Sequence, residues 1–241
     1  MTRAVVVTGA AGGIGSAICK RTREDGYIAV GIDRNPSVEA DVDLRFDLMD
    51  TEGLVSLGRE LGQTYELEAI VHNAAEQPVA GPGETTVERW METLRVNVLC
   101  VDALVAGARK SLASNGGCVV VLSSVHARAT TGGLTAYATT KAGLEGWVRS
   151  AALDLGPHIR VNAVAPGAID TAKLREGFAR WGEESADARR SHLCERTALR
   201  RIGDPAEVAG VVSFLIGADA RFVTGAVMVV DGGAAARLGT E

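Results

Sequence analysis

Tyr137 and Lys141 stand four residues apart in Tyr137-Ala-Thr-Thr-Lys141, and Ser124 lies thirteen residues upstream. Four residues is about one helical turn, so the phenol and the ammonium project from one helix face. There the lysine charge would stabilise the Tyr137 phenolate and draw its pKa down from ~10 toward neutrality. A phenol tuned in this way is an acid or base for a proton on a substrate oxygen. Ser124 follows the apolar run Cys118-Val-Val-Val-Leu122, which reads as a buried strand, so its hydroxyl would emerge at a strand end. Tyr-x-x-x-Lys alone also describes an ordinary solvated helix face. Its weight comes from a nucleotide-binding signature near the start of the chain.

That signature is Thr8-Gly9-Ala10-Ala11-Gly12-Gly13-Ile14-Gly15, set between the apolar strand Ala4 to Val7 and a helical stretch from Ser16 to Asp25. Glycines there permit a tight strand-to-helix turn and let the backbone approach a pyrophosphate held on the helix N-terminus. A second strand, Ile28 to Ile32, ends in Asp33, eighteen residues past Gly15. A carboxylate at that point accepts hydrogen bonds from the adenosine ribose hydroxyls and repels a 2′-phosphate, which favours NAD. Gly12 brings no basic side chain to the turn. Arg34 is the contrary residue, because an arginine beside the acid could pair with the 2′-phosphate of NADP.

These residues resemble the short-chain dehydrogenase/reductase family, and the resemblance spans nearly the whole chain. Asp47-Leu48 is similar to the family's adenine-contacting pair. His72-Asn73-Ala74-Ala75 resembles its Asn-Ala-Gly element, with Ala75 in place of the usual glycine. Asn97 matches the family's helix asparagine, Pro166-Gly167-Ala168-Ile169-Asp170-Thr171 its Pro-Gly nicotinamide loop, and Phe222 to Ala226 with Val230 to Gly233 its C-terminal strand region. The resemblance implies reversible hydride transfer between a secondary alcohol and NAD. Tyr137 would be the acid/base, Lys141 would also bind the nicotinamide ribose, and Ser124 would hydrogen-bond the substrate oxygen. Asn97 would hold a water linking Lys141 to solvent. Gly9, Ala11, Gly13, Ile14, Gly15, Asn73, Ala74, Pro166 and Gly167 would line the cofactor, with Ile169 and Thr171 fixing its carboxamide.

The elements that must position these residues alternate along the chain. Strands are expected near 4–8, 28–33, 43–46, 67–72, 118–123, 159–165 and 226–230, with helices at 13–25, 50–62, 85–112, 136–155 and 205–216. Near-continuous apolar strands imply helices on both sheet faces and parallel pairing through right-handed crossovers. The expectation is an α/β fold: one doubly wound Rossmann domain over residues 1–241 with a seven-stranded parallel sheet. The motifs all follow strand carboxyl ends, where doubly wound sheets bind ligands.

Composition narrows the class. With 46% hydrophobic residues in 241, the chain can bury one sizeable core. A net charge of −5 with no basic block argues against nucleic acid. Cys19, Cys100, Cys118 and Cys194 form no Cys-x-x-Cys pair and read as small fillers in a reduced compartment; the four histidines have no metal-ligand spacing. No apolar run reaches membrane-spanning length, and the first strand leaves no room for a secretory signal, so the default location is the cytoplasm.

Substrate identity is the thinnest part. A covering segment at about 172–201 carries eight basic residues against five acidic ones. It is either a solvated helix pair laced by ion pairs or a grip for a carboxylate or phosphate. His126, Glu76, Arg175, Phe178 and Trp181 are the substrate candidates, pointing to a small polar hydroxy compound, anionic if a cover arginine holds it. A 3-oxoacyl-acyl-carrier-protein reductase, with Arg128 in its docking surface, and a non-catalytic nucleotide sensor are the alternatives. A homotetramer, or failing that a homodimer, follows from the family and from the excess apolar surface of the Tyr137 helix. Trp147 there either anchors a partner or completes the chain's own core.

Overall fold

The apolar runs become seven strands: β1 Arg3–Thr8, β2 Ile28–Asp33, β3 Val42–Arg45, β4 Glu66–His72, β5 Cys118–Leu122, β6 Arg160–Pro166 and β7 Val227–Val230. In the computed structural model, which describes residues 1–179 and 183–236, they form one sheet in the order β3-β2-β1-β4-β5-β6-β7. Every pairing is parallel. The order reverses direction between β1 and β4, which is the switch point where a doubly wound sheet opens a crevice at its carboxyl edge.

Helices fill the crossovers: α1 Gly13–Glu24, α2 Thr51–Thr64, α3 Val87–Leu94, α4 Cys100–Asn115, α5 Thr135–Leu155, α6 Ala172–Ala179, α7 Glu183–Arg196 and α8 Pro205–Ile216. Side chains alternate across the pleat, so each strand feeds two cores. Val5, Val7, Ala69, Val71, Val120 and Leu122 pack with Ile18 of α1 and Val208, Val212 and Leu215 of α8. Val6, Ile70, Val119, Val121 and Val161 pack with Leu54 of α2, Leu104 and Leu112 of α4, and Leu144 and Val148 of α5. Local signals set the helix starts. Asp50 caps α2 by accepting from the Gly53 N–H at 2.8 Å. Asp204 and Glu207 close a capping box around Pro205 at the start of α8.

One element departs from expectation. The long helix expected at 85–112 is α3 and α4 joined by a π-helical turn, Arg95–Leu99. The wider turn interrupts the regular ladder around Asn97. The covering segment is a helix pair, α6 and α7, while Trp181 falls outside the described residues. Cys19, Cys100 and Cys118 are buried, and burial pushes each thiol up to about 12, which leaves them as unreactive packing groups. Among the described residues, no helix is long and apolar enough to cross a membrane.

Candidate functional site

The glycine-rich turn is shaped by contacts that only glycine permits. Gly9 sits at φ +66°, and a Cβ there would fall 2.7 Å from the Ala74 Cα and 2.9 Å from the Asn73 Nδ2. At Gly15 a Cβ would run into the Gly9 carbonyl. Asn73 locks the turn by donating from Nδ2 to that carbonyl at 2.9 Å. Gly12 precedes α1 without a side-chain cap, and the first turn of α1 holds no acid, so its leading N–H groups are aimed at an anion. The residues present therefore fit a pyrophosphate. Ala11 and Ile14 belong to the same turn, and Gly13 packs under Thr171, whose Cγ2 would lie 3.0 Å from a Cβ at that glycine.

Asp33 ends β2 beside this turn. Its carboxylate accepts from the Ala11 N–H at 3.1 Å and from the Asn35 N–H at 2.9 Å, so its position is fixed. The Phe46 N–H donates to the Asp33 carbonyl at 3.1 Å, which brings the following Asp47-Leu48 alongside. Asp47 stays exposed, while Leu48 is buried in the core.

The candidate reaction centre lies where β5 meets α5. Lys141 is fully buried and donates from Nζ to the Leu122 carbonyl at 2.5 Å. Its Nζ stands 5.7 Å from the centroid of the Tyr137 ring. Burial pulls the Lys141 pKa down to about 7, and the neighbouring Lys173 charge adds to the effect. Burial raises the Tyr137 phenol above its ordinary value, and its hydrogen bond with Ser124 draws it partly back. Burial of the phenol thus works against the depression expected from Lys141. Ser124 accepts from the His126 N–H at 3.2 Å, and the His126 ring meets Tyr137 edge-on at 6.0 Å. His126 is therefore brought to Tyr137 and Ser124, as its spacing from Ser124 suggests.

Asn97 is buried and its amide is fully engaged. Oδ1 accepts from the Glu76 N–H at 2.8 Å, while Nδ2 donates to the Glu76 carbonyl at 3.0 Å and to Thr140 Oγ1 at 2.9 Å. The side chain pins the loop after β4 to α5. His72 supports it from below. Asn73 and Ala74 donate backbone N–H groups to Thr8 Oγ1 at 3.2 and 3.3 Å, so the Thr8 hydroxyl donates to His72 Nδ1 at 2.9 Å. His72 Nε2–H then donates to the Asn97 carbonyl within the π-turn, at 3.2 Å. Burial drives the His72 pKa down to about 3, so it works as a neutral link.

The Glu76 carboxylate accepts from Arg34 at 3.2 Å and from Arg89 at 2.9 Å. Arg175 pairs with Asp170 at 2.9 Å, with Arg190 3.8 Å from the same carboxylate, so two of the cover's arginines meet an acid just ahead of the segment. Phe178 is half-buried on α6. Ile169 spends its side chain on the core, while its backbone bridges to Gly203. Pro166 closes β6, and the Gly167 N–H donates to the Val230 carbonyl at 2.9 Å, which pins the loop to β7. Trp147 is half-buried against the chain's own core and donates to Asp102 at 2.9 Å.

Ser123 and Glu145 escaped the sequence reading. Glu145 is buried one turn past Lys141, accepts from Ser123 Oγ at 3.1 Å and pairs with Arg128 at 3.1 Å. The i, i+4 spacing from Lys141 was the available signal.

A doubly wound parallel sheet with a glycine-rich turn after β1, an acid ending β2 and a tyrosine–lysine pair on α5 defines a dinucleotide-fold protein. The family model described as "Enoyl-(Acyl carrier protein) reductase" matches residues 9–235. Dehydrogenase/reductase SDR family member 4 of Homo sapiens is 32% identical over 260 residues, covering 98% of this chain and 88% of that protein. The ligand-free aldohexose dehydrogenase of Thermoplasma acidophilum superposes with a TM-score of 0.93 at 28% identity, covering 100% of this chain and 97% of that one. A putative NAD(P)-dependent gluconate 5-dehydrogenase from Beutenbergia cavernae, with bound NADP, gives 0.89 at 30% identity, covering 98% and 97%. The chain belongs to the short-chain dehydrogenase/reductase family and is an oxidoreductase of that family.

Proposed function

We propose that the protein is an NAD-dependent dehydrogenase oxidising a secondary alcohol on a small polar hydroxy compound, working in the cytoplasm. The observation that carries this reading is the meeting of Ser124, Tyr137 and Lys141 beside a turn whose ribose end is held by Asp33. The bound nicotinamide would supply the hydride acceptor. Tyr137 would take the hydroxyl proton, and Ser124 would hydrogen-bond the oxygen on which charge changes. Lys141 would steady the Tyr137 face and bind ribose, while Asn97 would hold the Glu76 backbone and Thr140 in register with α5. The aldohexose and gluconate dehydrogenases among the similar structures support polyhydroxy substrates. Asp33 weighs against an acyl-carrier-protein reductase that would want NADPH, and one cation offered for its docking surface, Arg128, pairs with Glu145.

A panel of sugars, sugar acids and simple alcohols, followed by nicotinamide absorbance with each cofactor, tests this. Turnover of hydroxy compounds with NAD at least about tenfold above NADP is expected. Turnover of none of them with either cofactor defeats the reading.

The same reading includes a homotetramer. Leu153 on α5 is 84% exposed and Leu99, just before α4, is 39% exposed, so this face is apolar beyond what its own sheet covers. Sedimentation is expected to give a species near four times the 25.1 kDa chain mass, and Leu153→Glu to lower it. A species of single-chain mass in the wild type overturns the assembly.

A further inference from the structure

Glu76 ties two arginines together at the adenosine end of the crevice. Arg34 Nη2 donates to its Oε1 at 3.2 Å and Arg89 Nη2 to its Oε2 at 2.9 Å, while Arg89 Nη1 also reaches Glu92 at 2.8 Å. Little in this arrangement is free to drift. The Glu76 backbone is clamped on both sides by the Asn97 amide, and the Arg34 carbonyl accepts from Arg45 at 3.1 Å. Arg34 directly follows Asp33, whose carboxylate reaches back to the Ala11 N–H of the glycine-rich turn. The cation best placed to meet a 2′-phosphate is therefore already claimed by a carboxylate.

We propose that Glu76 is a second determinant of cofactor choice, acting with Asp33 by holding the Arg34 guanidinium away from an adenosine 2′-phosphate. The inference rests on the reading of the β2 end as the ribose site. Two effects combine. Arg34 meets a phosphate with its charge already shared with Glu76, and that carboxylate remains a negative charge beside the dianion. Arg34 is well exposed, so solvent screens the pair and the effect is moderate. Glu76→Gln removes the charge and keeps the size, and Arg89 retains Glu92 as its partner.

The test is a double-mutant cycle over wild type, Glu76→Gln, Arg34→Gln and the double variant, reading the ratio of kcat/KM with NADP to that with NAD. Glu76→Gln is expected to raise the ratio about fivefold, and in the Arg34→Gln background the gain should fall below about twofold. A ratio that stays within about twofold in Glu76→Gln overturns the proposal, as does an equal gain without Arg34. Calorimetric binding of 2′,5′-ADP against 5′-ADP to each folded variant reads the same coupling without turnover, should a substitution also slow the reaction. Wild-type preference for NADP would sink the NAD reading alone; the coupling between positions 34 and 76 still decides this proposal.

Discussion

Tyr137→Phe is expected to lower kcat/KM by at least about a hundredfold while leaving NAD affinity within about threefold. The change removes one oxygen from a half-buried ring that packs edge-on to His126 and leaves the glycine-rich turn, Asp33 and Asn73 untouched. Only proton exchange with the substrate oxygen is lost, so the effect should appear in turnover rather than in nucleotide binding. The direction of the Tyr137 shift adds a pH signature. Burial raises the phenol above its ordinary value and the Ser124 hydrogen bond brings it partly back. Alcohol oxidation needs the phenolate and should quicken as pH rises; ketone reduction needs the phenol and should slow. Steady-state kinetics in both directions, with nucleotide binding by calorimetry, check this. A variant keeping more than about a hundredth of wild-type activity would remove Tyr137 from the acid/base role.

What the sequence disclosed was what period and spacing encode. Near-continuous apolar runs gave seven parallel strands, because buried strands need no polar face. The glycine pattern gave the turn, because Gly9 and Gly15 sit where no Cβ fits. What stayed hidden depends on which side chains meet across elements. The π-turn at Asn97 leaves no mark in periodicity, and its carbonyl partner, His72, lies on another strand. Glu76 follows the Asn73 element, but nothing in the spacing announces that two arginines distant in sequence meet its carboxylate. Nor does spacing announce the hydrogen bond from the Trp147 indole to Asp102 on the neighbouring helix. A Coulomb argument from helix spacing alone omits the desolvation that Tyr137 and Lys141 each suffer on burial.

That desolvation makes Lys141 a costly residue, and Lys141→Met should expose the cost. The substitution is expected to reduce activity by at least about a hundredfold, yet stabilise the fold near and below neutral pH. In the unfolded chain the ammonium titrates near 10.5, but in the folded chain at about 7. Between those values the unfolded chain holds a proton that the folded one lacks, so the Lys141 contribution to stability improves as pH rises. Below about 7 both states hold it, and the whole penalty of burying the charge is present, on the order of a few kcal/mol. Methionine matches the lysine stem in length and carries no charge. It does leave the Leu122 carbonyl without the donor it meets at 2.5 Å, which costs about 1–3 kcal/mol. The two terms oppose, and pH decides between them. At about pH 6 the variant should melt several degrees above wild type; the gap should shrink through the window above about pH 7 and reverse near about pH 10, where neutral lysine keeps its hydrogen bond at no charge penalty. Other titrating groups are common to both proteins and cancel in the difference. A Met variant less stable than wild type at about pH 6, or a gap that does not change with pH, would show that the Lys141 charge is well solvated and that its burial does not depress its pKa.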